Sequence, residues 1–150
     1  HFLDMIGVRT PDDVFFIADS LFSEQLIEKY AIMFVLDVGS ALETLSFLEK
    51  ENAAWFVPSH APAVQDIAPL AEANKKGLLR VSEAVLECCS RPSGRDDIVQ
   101  ALSDRFSLSM SVSEYLLNSA AISAHLSWLR KGGHISPVVA GGRLLWKKNS

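Results

Sequence analysis

Cysteine is nearly missing from this 150-residue chain: only Cys88 and Cys89 occur, and they are adjacent. That spacing supplies neither a disulfide framework nor a metal knuckle, and it points to a reducing cytoplasm. Long hydrophobic runs are missing too. No segment reaches the ~20 apolar residues that cross a bilayer, so no membrane partner is expected. No basic start followed by a small-residue cleavage site marks a signal peptide. Histidine is sparse, at positions 1, 60, 125 and 134, and no His-x-His pair exists. Positive charge is scarce in the first half. Residues 1–76 carry five Lys/Arg against twelve Asp/Glu, a net −7, whereas residues 77–150 carry nine against six, a net +3. Such asymmetry suggests two modules with different tasks.

What is present argues for a packed core: 49% of residues are hydrophobic and 21% charged, which excludes a disordered chain. The length suits one ordinary domain or two small ones. The chain starts with His and its first strand begins in mid-pattern, so the sequence reads as a piece of a longer protein.

The central stretch is Val14-Phe15-Phe16-Ile17-Ala18-Asp19-Ser20. An unbroken apolar run that stops at a carboxylate reads as a buried strand delivering Asp19 at its end. His1 stands upstream and His60 downstream, each at the edge of an apolar run. One Asp and two His from separate segments form a plausible metal constellation. The competing reading has Asp19 cap the helix that follows, and spacing alone does not separate the two.

Taken in order, residues 2–9 read as a strand with Gly7 as a bulge or close approach, Thr10–Asp13 as a turn, and 2–18 as an antiparallel hairpin. A short helix is expected over 20–30, a strand or loop over 32–38, and a helix over 40–51 with Leu42, Leu45 and Leu48 inward. Residues 53–58 read as a second buried strand. Pro58-Ser59-His60-Ala61-Pro62 then forms a rigid loop that places His60 after its strand as Asp19 is placed after its own. A helix over 65–76 leads to a module boundary near 76, crossed by continuing helical spacing through Leu79, Val81, Val85 and Leu86. Helices follow over 78–90, 95–106 and 112–131. The second of these turns Ile98, Val99, Leu102 and Phe106 inward. The last starts at a capping box, Ser111-x-x-Glu114, and stops at Gly132-Gly133. Two short runs around Gly141-Gly142 make a β-hairpin. Three helices and a hairpin give a winged helix-turn-helix pattern over 77–150.

His1-x-Leu-Asp-Met-Ile-Gly, Val14-Phe-Phe-Ile-Ala-Asp19-Ser20-Leu-Phe-Ser and Val57-Pro58-Ser59-His60 together resemble the carboxyl-terminal half of metallo-β-lactamase-fold hydrolases. The resemblance covers residues 1–76; the rest is similar to the winged-helix tail that some members carry. It implies an α+β fold, half of an αββα sandwich followed by a small winged-helix module. It also implies two metal ions, zinc or sometimes manganese or iron, with His1 on the first, Asp19 bridging both, and His60 on the second. The nucleophile would be a metal-bound hydroxide. The family's His-x-His-x-Asp-His signature belongs to the other half of the fold and does not occur here. The parent protein is therefore expected to be a hydrolase and this chain alone to be inactive.

The tail allows a second reading. Tyr115, Leu116, Ile122, Leu126 and Leu129 are expected inward on helix 112–131. Asn118, Ser119, Ser123 and Ser127 remain outside, with positive charge only at Arg130 and Lys131, too little for ordinary phosphate neutralisation. The hairpin carries Arg143, Lys147 and Lys148 around Trp146, a combination that suits stacking on single-stranded nucleic acid. The alternative, Trp146 in the small module's core with solvated lysines, is favoured. His125, His134 and Cys88-Cys89 are read as structural.

Three functions stand: a metal-dependent hydrolase of a thioester, lactone or similar ester; a metal-dependent nuclease fed by the basic tail; and a non-catalytic winged-helix regulator of DNA. The first is preferred because the tail is only mildly basic. Half a sandwich also exposes a sheet face, so the expected partner is the amino-terminal half or a second copy of the chain.

Overall fold

The computed structural model describes residues 5–149; the expected ligand His1 and the start of the first expected strand lie outside the described residues. Five helices and five strands follow in the order β1 (Val8–Arg9), β2 (Val14–Phe22), α1 (Glu24–Tyr30), α2 (Val38–Leu48), β3 (Trp55–His60), α3 (Ala68–Cys88), α4 (Arg95–Phe106), α5 (Val112–Lys131), β4 (Ile135–Ala140) and β5 (Arg143–Lys148).

β2 is the middle strand of a mixed sheet, antiparallel to β1 and parallel to β3. The expected hairpin holds, with Val8 opposite Phe16 and Arg9 opposite Phe15. Its strand is shorter than the pattern implied, because residues 5–7 make no ladder. Gly7 is a close approach: a Cβ there would sit 2.7 Å from the Phe15 ring and 3.2 Å from the Phe16 carbonyl. Asp13, at φ 64°, closes the turn and ties it across to β3, its carboxylate accepting from the Ala54 N–H at 3.0 Å.

Successive side chains of a strand point to opposite faces. One face sends Ile17, Leu21 and Phe56 into a core shared with Val38, Leu45, Leu48, Ala71 and Leu78 of α2 and α3. The other face carries Val8, Phe16 and Trp55, all exposed, with Val14 and Val57 half-buried between them. An apolar outer sheet face of this kind is uncommon on a self-sufficient domain.

α3 runs for 21 residues and passes 76 and 77 without a break. Its first half packs Ala71 and Leu78 into the sheet core. Its second half packs Val81, Ala84 and Val85 into a separate core with Ile98, Val99, Leu102, Ile122, Leu126 and Ile135. Trp128 of α5 touches both cores. α4, α5 and the hairpin occupy the expected positions. The α5 capping box is formed in both directions, Glu114 N–H to Ser111 Oγ at 3.2 Å and Ser111 N–H to Glu114 Oε2 at 2.8 Å. Gly141 and Gly142 take φ 57° and 74°, the paired positive values of a tight hairpin turn.

The segment after α1, read as strand or loop, is a loop: Ala31 ends that helix at φ 50° and residues 32–36 form no strand. Other expectations are corrected. Tyr115 and Leu116 do not face inward: they are 38% and 63% exposed, while Ser119, expected outside, is buried. The inward stripe of α5 begins only at Ser119, past the reach of α3 and α4, so its first two turns present apolar side chains to solvent.

Candidate functional site

Asp19 does not end its strand. β2 continues to Phe22, and Asp19 lies on an irregularity inside it. Ala18 pairs with Pro58 and Phe22 pairs with His60, so the step from residue 18 to 22 on β2 matches a step from 58 to 60 on β3. The extra chain must arch out of the ladder, as in a bulge, and Asp19 and Ser20 ride on the arch. The arch starts at Ala18, whose φ of 47° is costly for a residue with a Cβ, on the order of 1–2 kcal/mol. His60 is likewise the last residue of β3, not part of the loop beyond it. Parallel strands bring both positions to one end of the sheet, and the arch turns Asp19 toward its neighbour.

The two side chains meet: Asp19 Oδ1 lies 3.3 Å from His60 Nε2, with the side chains 37% and 38% exposed. The Phe22 ring stacks on the imidazole, centroids 5.4 Å apart and planes 14° from parallel. The Asp19 N–H points at Met5 Sδ, 3.3 Å away. The His60 carbonyl accepts from the Ser23 N–H at 3.0 Å, which joins the end of β3 to the start of α1. Ser23, and not Asp19, caps that helix, its Oγ accepting from the Leu26 N–H at 3.3 Å.

Asn74 of α3 fixes the end of the arch. It is 2% exposed. Its Oδ1 accepts from the Phe22 N–H at 2.9 Å, and its Nδ2 donates to the Phe22 and Leu70 carbonyls, each at 2.8 Å. A strand that leaves its ladder needs substitute partners for its backbone, and one carboxamide supplies both a donor and an acceptor. Sequence reading missed Asn74. The signal was available, since it stands between Ala71 and Leu78 on the inward stripe of an amphipathic helix, where a polar residue requires a reason.

A cavity of about 330 Å³ opens beside the pair, lined by Asp19, Ser20, Phe22, Met33, Asp37, Ser40, Thr44 and Asn74 among others. Asp37 caps α2, accepting from the Ser40 N–H at 2.8 Å. A carboxylate and an imidazole close together, the carboxylate on the cavity wall, are a donor pair that suits a borderline cation such as zinc. Among the described residues no third His, Cys, Asp or Glu joins them.

The residues singled out in the tail lie elsewhere. Arg143 pairs with Asp97 of α4 at 2.7 Å. Trp146 is half-buried against the helical core, and its backbone bridges to Ser93 in both directions, at 2.8 and 3.0 Å. Lys147 and Lys148 are exposed. His125 is fully buried and shares a hydrogen bond with Ser82, Nδ1 to Oγ 2.8 Å. Cys88 is half-buried and Cys89 buried; burial raises both thiols, Cys89 to about 11, which leaves them unreactive.

No protein-family model and no curated protein matches the sequence. Solved structures do. A beta-lactamase domain protein from Burkholderia ambifaria superposes with a TM-score of 0.76 at 15% identity, over 95% of this chain and 44% of that one. A metallo-beta-lactamase family protein from Thermus thermophilus superposes with a TM-score of 0.63 at 18% identity, over 92% of this chain and 42% of that one. The chain therefore has the fold of part of the metallo-β-lactamase architecture, as the sequence resemblance implied. It spans less than half the length of the structures it matches. No helix among the described residues is long and apolar enough to cross a membrane.

Proposed function

We propose that the chain supplies the carboxyl-terminal half of the active site of a metal-dependent hydrolase acting on a thioester, lactone or similar ester. The observation that carries the reading is the meeting of Asp19 and His60, from two parallel strands, at the open end of a metallo-β-lactamase-like sheet. Asp19 would serve both zinc ions and His60 one of them. His1, outside the described residues, would serve the other. A zinc site usually takes three or more protein ligands, so the remaining donors must come from outside the described residues. Bound zinc supplies acidified water and a polarising charge at the scissile carbonyl. The chain's own contribution is positional: Asn74 anchors the arch, Phe22 fixes the plane of the imidazole, and the cavity keeps the substrate against both.

The exposed apolar face of Val8, Phe16 and Trp55 supports the expected partner, the other half of the sandwich. More than half of each matched structure lies outside the region this chain covers, and a second layer on that face would remove it from water at about 25 cal/mol per Å². We assign 1–76 to the sandwich half and 77–150 to a winged-helix-like module, whose element order the helices and hairpin follow. Nucleic-acid binding by that module is the weaker reading. Arg143 is engaged by Asp97 and Trp146 by the core, which leaves Lys147 and Lys148 as the exposed cations of β5.

The test is zinc stoichiometry and ester hydrolysis by the intact natural protein, with Asp19→Ala and His60→Ala beside it. Loss of both zinc and turnover in each variant supports the reading. Full turnover in Asp19→Ala overturns it. Turnover that instead falls with Lys147→Glu and Lys148→Glu, on an RNA substrate, selects the nuclease.

A further inference from the structure

A second cavity, about 410 Å³, adjoins the first. Phe22 and Met33 line both. Beyond them its wall is made by Tyr30, Phe34, Phe106, Leu108 and Leu117, with Glu28, Lys29 and Glu114 at its edges. The elements involved are the loop after α1, the α4–α5 connection and the first turns of α5. This places one of the exposed apolar residues of α5: Leu117, 50% exposed, stands over this trough. Ser107 takes a left-handed φ of 52° to turn the chain between α4 and α5, which puts Leu108 in the wall. The size falls within the range of small-molecule sites, and an apolar wall with few polar groups is their usual composition.

We propose that the trough is an acyl-arm subsite: the ester would lie by Asp19 and His60, and an unbranched alkyl chain would pass Phe22 and Met33 into the space under Leu117. The assignment rests on the hydrolase reading for its ester end, and for its apolar end on Phe22 and Met33 lining both cavities. It restricts the substrate class to esters with a medium-length acyl group and no charge on that arm, because Phe34, Phe106, Leu108 and Leu117 would leave a charge there without a partner.

Binding without turnover tests it. Methyl butyrate, hexanoate and octanoate are titrated into the protein while the methyl resonances of Met33, Leu108 and Leu117 are followed. The expected result is saturable shifts in those methyls, with affinity rising up to about fourfold per added methylene, the value of full burial. Leu117→Glu and Ser109→Trp, both at exposed positions, should each weaken octanoate binding at least tenfold while the folded spectrum is kept. Equal affinity for all three esters, or shifts that persist in both trough variants, overturns the subsite. Chain-length-dependent binding in a protein that never hydrolyses an ester would leave the trough standing and sink the hydrolase reading instead.

Discussion

The sheet region and the helical region share α3, yet they are built differently. In the helical region each element closes on itself. α5 has a complete capping box, α4 has Asp97 on the Gly94 N–H at 3.0 Å, and the hairpin turn uses two glycines for its positive φ values. In the sheet region the chain takes positive φ at Asp13, Ala18 and Ala31, none of them glycine, and β2 leaves its ladder. Its apolar outer face is open and its bulge is anchored by a side chain 52 residues away. The helical region has one such residue among those described, Ser107 between α4 and α5; in the sheet region Ala18 is the one that adjoins the carboxylate–imidazole pair, and strain at that position is what a region that positions chemistry would carry.

The largest effect that could break this contrast is at Asn74. Asn74→Ala would remove the carboxamide's bonds to the half-buried Phe22 N–H and C=O, at about 1–3 kcal/mol each. We expect chemical unfolding to show a loss of about 3–5 kcal/mol, faster amide exchange at Phe22 than at Ile122, and separation of Asp19 from His60. An exchange pattern that loosens α4 and α5 first would show that the arch is not held by Asn74.

Next in size is a pH effect confined to the helical core. Burial pushes His125 down to about 4 from an ordinary 6.5, and its Nε2 has no hydrogen-bond partner among the described residues. The unfolded chain binds a proton below pH 6.5 that the folded chain refuses until about pH 4. Stability is therefore complete above 6.5 and falls as the pH drops through that window, by about 3 kcal/mol in all. His125→Leu should flatten this dependence between pH 7 and 4.5, whatever it does to stability at pH 7. An unchanged slope would place the acid sensitivity elsewhere.

The two N-cap serines compare the regions directly. Ser111 completes a box and Ser23 makes a single bond. Ser111→Ala should cost about 1 kcal/mol. Ser23→Ala should cost no more, but it acts next to the His60 carbonyl and should also alter the imidazole's chemical shifts. Equal silence at His60 would detach α1 from the site.

The same contrast decides what could be read in the residues. α4 and α5 fall at 95–106 and 112–131 as expected, because caps and helical spacing are local. The strand read as 14–18 runs four residues further, to Phe22, and His60 ends a strand instead of standing in a loop, because the parallel pairing with β3 and the clasp from Asn74 are long-range. Periodicity places Tyr115 and Leu116 inward, but it cannot tell where along a helix the core begins, and the buried stripe of α5 starts at Ser119. The fold resemblance and the convergence of Asp19 with His60 could be anticipated from their motifs; the arch that achieves it could not.

Arg143→Ala should have the smallest effect. Its bond to Asp97 is short, but the two side chains are 60% and 54% exposed, and exposed ion pairs contribute about 0–1 kcal/mol. The substitution also frees Asp97, which still receives the Gly94 N–H at 3.0 Å, so the α4 cap should persist. We expect a stability change below about 1 kcal/mol that shrinks further in 0.5 M salt, and unchanged ester turnover in the intact protein. A larger loss would mean that the hairpin is clamped to α4 by charge and not by the Trp146–Ser93 bridges. Loss of nucleic-acid affinity without loss of stability would give the helical region a task of its own.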